Sequence, residues 1–228
     1  ADGGSNDATP EIAGLAGAQL IKVHPAGRGR QLRTAAAQAS SDWLLFLHAD
    51  SRLPLQWFRA ISPLLKTSST EAAAWYFDFR ITPSTAARRL LEQAVALRSS
   101  LLQRPYGDQG LLIHRELLAK AGGYRPLALM EDLDLVMRLN GQATIRQLGL
   151  PLTTSGRRWR THGVLRIAWR NARLRRRWRR GDDPAQLANA YAAEPVSWRT
   201  RRHNGAVAAP APNPGADRNS PPPDPQRG

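Results

Sequence analysis

The chain has 228 residues, room for one large domain or two small ones, and an apolar content of 42% that supports a real core. No apolar run reaches the roughly eighteen residues of a membrane span, and the absence of cysteine excludes disulfide frameworks and thiolate metal sites. The net charge of +15 is local: between Arg157 and Arg202 fourteen arginines stand against three acids, which leaves the main body nearly balanced and places an anionic partner at one end.

In chain order, residues 2–5 read Asp-Gly-Gly-Ser, a turn, with Pro10 opening a short helix over Glu11 to Gly17. A strand is expected over Gln19 to Val23. Gly27-Arg28-Gly29-Arg30 then reads as a flexible basic loop, in which Arg28 and Arg30 either hold a diphosphate or are simply solvated. A helix over Gln31 to Ala39 leads to Trp43 to Leu47, whose apolar run suits a buried central strand covered on both faces, as in parallel sheets. That strand runs straight into His48-Ala49-Asp50. In open α/β sheets ligands bind beyond the carboxyl ends of strands, which is where His48 and Asp50 would stand; the plain alternative is a core strand followed by a polar turn.

Pro54 opens a helix over Leu55 to Leu65, and Ala72 to Ile81 reads as a strand interrupted by Asp78, a satisfied polar contact. Residues 84–102 place apolar side chains at a helical period, including Leu90, Leu91, Val95, Leu97 and Leu101, which predicts a helix packed on the sheet. Tyr106-Gly107-Asp108-Gln109-Gly110 breaks the pattern, its glycines permitting either close approach to a ligand or a tight turn. A short strand over Leu111 to Ile113 and a helix over Arg115 to Ala121 follow, stopped by Gly122-Gly123. Glu131, Asp132 and Asp134 then crowd the start of a short helix, where its positive end favours acids. From there Asp132 could face a cleft as a general base.

Taken together these motifs resemble family 2 glycosyltransferases. The matching pieces are the turn at residues 2–5, the strand ending in His48-Ala49-Asp50, the Gly107 to Gly110 loop with its strand and Arg115-Glu116-Leu117 helix, Gly122-Gly123-Tyr124, Glu131-Asp132, and Thr154 to Trp159. GRGRQ, FLHADSRLP, YGDQG, LMEDLDL and RRWRTHGVLR look most like a bacterial branch associated with arsenosugar biosynthesis. The resemblance implies a GT-A (Rossmann-like) α/β fold, a nucleotide-diphosphate sugar donor, a hydroxyl acceptor, inversion at the anomeric centre and a divalent cation. By position, Asp2 matches the acid that contacts the donor nucleoside. Asp50 matches the last acid of the metal-binding triplet, with His48 where an acid usually stands. Asp132 matches the catalytic base, Arg158 and Trp159 the late motif, and Asp108 the donor-side loop. Imidazole can ligate Mn2+ but suits Mg2+ poorly, so which of the two cations is held, and whether His48 is needed, stay open. Members of the family carry two further strands ahead of the Asp-Gly-Gly-Ser turn, so the expectation is of a catalytic domain over 1–161 that is N-terminally incomplete.

Beyond Thr161 the character changes. A basic helical segment is expected over 162–203 and a disordered tail over 204–228. In the Arg166 to Arg180 stretch, Val164, Ile167, Asn171, Leu174 and Trp178 share one helical face, which fits a helix lying in an anionic membrane surface with Trp169 and Trp178 near the headgroups. The enzyme would then be cytoplasmic and held at the inner face of the membrane. Nucleic acid is the less favoured partner, and a solvated basic face the plain alternative. The rival to an enzyme is a catalytically degenerate module that binds anionic lipid or nucleic acid through this helix.

Overall fold

A computed structural model describes residues 1–66 and 73–193, all within one compact unit that extends to Val196; the segment 204–228 lies outside the described residues. The fold is α/β. Helix α1 (Thr9–Leu15) follows the first turn, and α2 (Arg28–Gln38) leads to β1 (Trp43–Phe46), β2 (Ser51–Arg52) and α3 (Trp57–Ile61). Then come β3 (Ala73–Thr82), α4 (Ala86–Leu102), β4 (Leu111–His114), α5 (Arg115–Lys120) and α6 (Glu131–Leu139). The long strand β5 (Thr144–Ser155) precedes α7 (Arg157–His162), α8 (Val164–Arg179) and α9 (Pro184–Ala193).

The strands form one mixed sheet in the order β1-β4-β3-β5-β2. Only β3 and β5 run parallel, from Ala73 opposite Thr144 to Thr82 opposite Ser155. The pairs β1–β4, β3–β4 and β2–β5 are antiparallel. Side chains alternate across the sheet. Leu44, Tyr76, Leu111 and Ile113 meet Leu117 and Leu118 of α5 and Leu135, Val136 and Leu139 of α6, while Trp75 and Leu112 meet Ile61 on the opposite face with Trp43 and Leu45 against them. This packing fixes the C-terminal end of β1 and the N-terminal end of α6 next to each other.

Several expectations change. Residues 19–23 contribute only an isolated bridge, Lys22 with Asp2, in place of a strand. Arg28 and Arg30 belong to the first turn of α2, because Gly29 packs too closely on the 125–127 backbone for a loop to wander: a Cβ there would sit 2.6 Å from the carbonyl oxygens of Arg125 and Leu127. Strand β1 is covered on both faces but stands at an edge and pairs antiparallel, so it is not the central parallel strand its apolar run suggests. Strand β5 escaped prediction because Gly149 (φ 69°) and Pro151 interrupt it; the register with β3 shifts between Tyr76 and Asp78, so Pro151 sits at an irregularity where a missing N–H is tolerated.

Helix α4 packs on the sheet as expected, through Val95 and Leu91 against Phe79 and Ile81, but three of its expected apolar positions do not. Its buried positions are Arg88, Glu92, Val95 and Ser99, while Leu90, Leu97 and Leu101 face outward. The buried polar groups are satisfied locally: Glu92 accepts from Ile81 N at 2.8 Å, and Arg88 donates to the carbonyls of Pro83 and Gly156. In α8 the Ile167 and Leu174 face packs inward against the domain, so it is not the face offered to a membrane.

Candidate active site

The turn that closes β1 is held by Ser51 N donating to His48 O at 3.0 Å, and β2 ties it to β5 through Ser51 opposite Thr154. This places His48 half-buried and Asp50 exposed at the mouth of a cleft of about 210 Å3. Thr154 Oγ1 donates to Asp50 Oδ2 at 3.2 Å and so fixes the carboxylate's direction. Burial, and next the charge of Arg28, push the His48 imidazole below its ordinary range, which keeps it neutral and able to ligate a cation.

The Tyr106 to Gly110 turn is pinned from beneath by Gln109. Its buried side-chain oxygen accepts from Ser99 Oγ at 2.8 Å and Arg98 Nη2 at 3.0 Å, and its amide donates to Phe77 O at 3.3 Å. Gly107 must be glycine for steric reasons, since a Cβ would lie 2.5 Å from His48 Nε2 and 3.0 Å from Asp132 Oδ2. With the turn anchored, Asp108 points into the cleft. Its Oδ1 is buried without a hydrogen-bond partner, and burial raises the carboxyl to about 6.

Helix α6 starts from Met130 in the left-handed region (φ 67°), a conformation that costs a non-glycine residue energy and turns the first helical residues toward the cleft. Asp132 Oδ2 accepts from Gly107 N and Oδ1 from Leu133 N, each at 2.7 Å. Arg28 bonds Glu131 directly and approaches Asp132 Oδ2 at 3.7 Å. Glu131 is buried with its Oε2 unpartnered, and burial, then the neighbouring Asp132 charge, raise its pKa. Burial alone would lower Arg28, but Asp132 and Glu131 outweigh it and hold the guanidinium charged. Asp134 points away from the cleft into ion pairs with Arg125 (3.1 Å) and Arg138 (2.6 Å).

The far wall comes from the C-terminal helices. Trp159 of α7, Ile167, Asn171, Leu174 and Arg175 of α8, and Tyr191 of α9 all line the cleft. Arg175 lies 5.0 Å from the centre of the Tyr106 ring, whose other contact is Arg98 at 3.7 Å, so one aromatic ring joins the α8 wall to the Asp108 turn.

Of the residues singled out in the sequence, the structure brings Arg28, His48, Asp50, Asp108, Asp132 and Trp159 to one cleft. Arg30 is exposed and does not line it. Asp2 does not line it either; its carboxylate accepts from Gly4 N, Ser5 N and Ser5 Oγ, and the Ser5 hydroxyl, then the backbone bonds, hold its pKa low. The side chain of Arg158 lies outside the described residues. Sequence reasoning missed Tyr106, Thr154, Asn171, Arg175 and Tyr191. Arg175 carried no signal among eight arginines, whereas the TSGRRW stretch offered one for Thr154.

Among the described residues no three His, Asp, Glu or Cys side chains form a self-sufficient metal cage. Asp50 and His48 line one cleft and offer an oxygen and a nitrogen donor, a set that suits Mn2+ better than Mg2+ and leaves the remaining ligands to come from a diphosphate.

No family model and no curated relative matches the chain. Among solved structures it is similar to glucosyl-3-phosphoglycerate synthase from Mycobacterium tuberculosis in complex with phosphoglyceric acid, with 20% identity, a TM-score of 0.47 and coverage of 68% of this chain and 57% of that one. A mycobacterial protein gives 22%, 0.47, 67% and 55%. The same synthase with Mn2+, uridine-diphosphate-glucose and phosphoglyceric acid gives 20%, 0.45, 66% and 57%. The matched region thus spans less than three-fifths of each of these structures.

Proposed function

We propose that the chain carries the active site of a GT-A glycosyltransferase, which moves a sugar from a nucleotide-diphosphate donor to an acceptor hydroxyl with inversion, and that its motifs place it near the arsenosugar-associated branch. The observation that supports this most is convergence: Asp50, Asp108, Asp132 and Trp159, separated by up to 109 positions, stand around one cleft of about 210 Å3. A core strand with an unrelated polar turn would give no reason for that meeting.

In this reading Asp132 removes the acceptor hydroxyl proton. Its carboxylate is aimed by the backbone N–H groups of Gly107 and Leu133, with the Arg28 guanidinium 3.7 Å from Oδ2. His48 and Asp50 would hold the divalent cation, which when bound supplies positive charge to the leaving diphosphate. Trp159 and the α8 wall line the side of the cleft across from the carboxylates. The reading is tested by a thermal-shift screen of nucleotide sugars with Mn2+, Mg2+ or chelator. A nucleotide sugar that raises the melting temperature only with metal supports it, since a ligand bound to the native state adds to its stability. No shift with any nucleotide sugar under any metal condition sinks it.

A further inference from the structure

Helix α4 packs on the domain through Leu91 and Val95, yet carries a second line of leucines on its outer side. Leu90, Leu97 and Leu101 recur at spacings of seven and four, one line along the helix, and are 66%, 61% and 71% exposed, while Arg88, Glu92 and Ser99 are buried beneath them. Burying polar groups and exposing leucine forgoes hydrophobic stabilisation, so an aligned apolar stripe of this kind signals a surface that is covered in use. Helix α8 touches α4 and presents a second outward line: Leu165 (83% exposed), Trp169 (65%), then Arg173, Arg176 and Arg180. Its spacings of four, four, three and four keep it on one face. The Arg173 guanidinium lies 5.7 Å from the Trp169 ring centre.

We propose that the outward faces of α4 and α8 dock on an anionic phospholipid bilayer, with Leu90, Leu97, Leu101, Leu165 and Trp169 entering the headgroup and acyl boundary and the α8 arginines meeting lipid phosphates. Apolar residues together with tryptophan and arginine are what an interfacial helix requires, and no described helix is long and apolar enough to cross the membrane instead. Charge selects this occupant. A nucleic acid would engage the arginines but leave the leucine stripe in water, because a duplex offers no apolar slab. A second copy docking through the same faces would cover the leucines but bring two arginine lines together. The surface is separate from the cleft, so the proposal does not depend on the enzymatic reading.

The test is sedimentation of the full chain with vesicles of phosphatidylcholine alone or with about 30% phosphatidylglycerol, at salt of about 0.1 M and 0.5 M. Binding should be strong only with phosphatidylglycerol. Arg173→Gln/Arg176→Gln/Arg180→Gln should weaken it by roughly a hundredfold, at about fivefold per arginine. Leu97→Ser/Leu101→Ser should weaken it by about tenfold or more at both salt concentrations, since apolar insertion is not screened. If that pair fails to fold, Leu90→Gln/Leu165→Gln replaces it with the same expectation. Leucine variants that bind like the parent overturn the proposal, as does equal binding to the two vesicle types. So does light scattering that shows a dimer turned to monomer by the leucine changes, which would make the second copy the occupant.

Discussion

Replacing Asp108 by Asn should stabilise the protein, and by an amount that depends on pH. Burial raises this carboxyl from 3.8 to about 6, and its Oδ1 has no hydrogen-bond partner. An acid whose folded pKa lies above its unfolded one leaves stability intact below pH ~4 and costs progressively more as pH rises to ~6, because the unfolded chain releases the proton first. At about 1.36 kcal/mol per pKa unit, the full cost above pH ~6 is at most about 3 kcal/mol, or about 6–12 °C in melting temperature for a domain of this size. Asparagine keeps the shape and never ionises. Melting of both proteins with chelator from pH ~4 to ~8 should therefore show curves that coincide at the acid end and separate toward pH 8, the variant being higher. A gap that is constant across pH, or that widens toward acid, would refute the assignment of Asp108 as a carboxylate held at a stability cost. Slower transfer in the more stable variant would complete the case that function retains the charge.

Asp132→Asn should lower turnover by about a hundredfold or more while leaving metal-dependent donor binding in place, read by single-turnover kinetics beside calorimetry. Asp50→Asn should behave oppositely, weakening metal-dependent donor binding because an amide is a poorer ligand for a hard cation; unchanged titration with Mn2+ and donor would remove Asp50 from the site. Gly107→Ala should displace His48, whose Nε2 is 2.5 Å from the new methyl, and cost about 1–3 kcal/mol in urea unfolding together with at least tenfold in turnover. Asp134→Asn should cost roughly 3 kcal/mol of stability, because Arg138 loses a partner in a largely buried pair, yet leave turnover per folded molecule near the parent's.

What the sequence revealed of the site was its contiguous motifs. His48 to Asp50, Gly107 to Gly110 and Glu131-Asp132 announce themselves by a strand that stops, a pair of glycines and acids at a helix start, and each maps to the cleft. Periodicity identified α4 and its Leu91 and Val95 contact with the sheet but not the outward turn of Leu90, Leu97 and Leu101; Arg88 and Glu92 take the buried places because Pro83, Gly156 and Ile81 offer backbone groups that no pattern reports. The shared face of Ile167, Asn171 and Leu174 in α8 was legible, but not that it turns to the cleft. The helix's fifteen-residue basic stretch reads as surface, and Arg175 meets Tyr106, sixty-nine positions earlier, which no local pattern reports.

That distant wall has a consequence for synthesis. The cleft's three carboxylates, Asp50, Asp108 and Asp132, are made once Asp132 has left the ribosome, but the last lining residue, Tyr191, follows fifty-nine positions later. At about 5–20 residues per second the growing chain spends roughly 3–12 s with its carboxylates made and its cleft open on one side. During that interval Phe79 and Leu133, which line the finished cleft together with Ile167 and Leu174, lack that part of their surroundings. The C-terminal helices thus complete the cleft last, and a chain stalled before Tyr191 would present an apolar half-cleft.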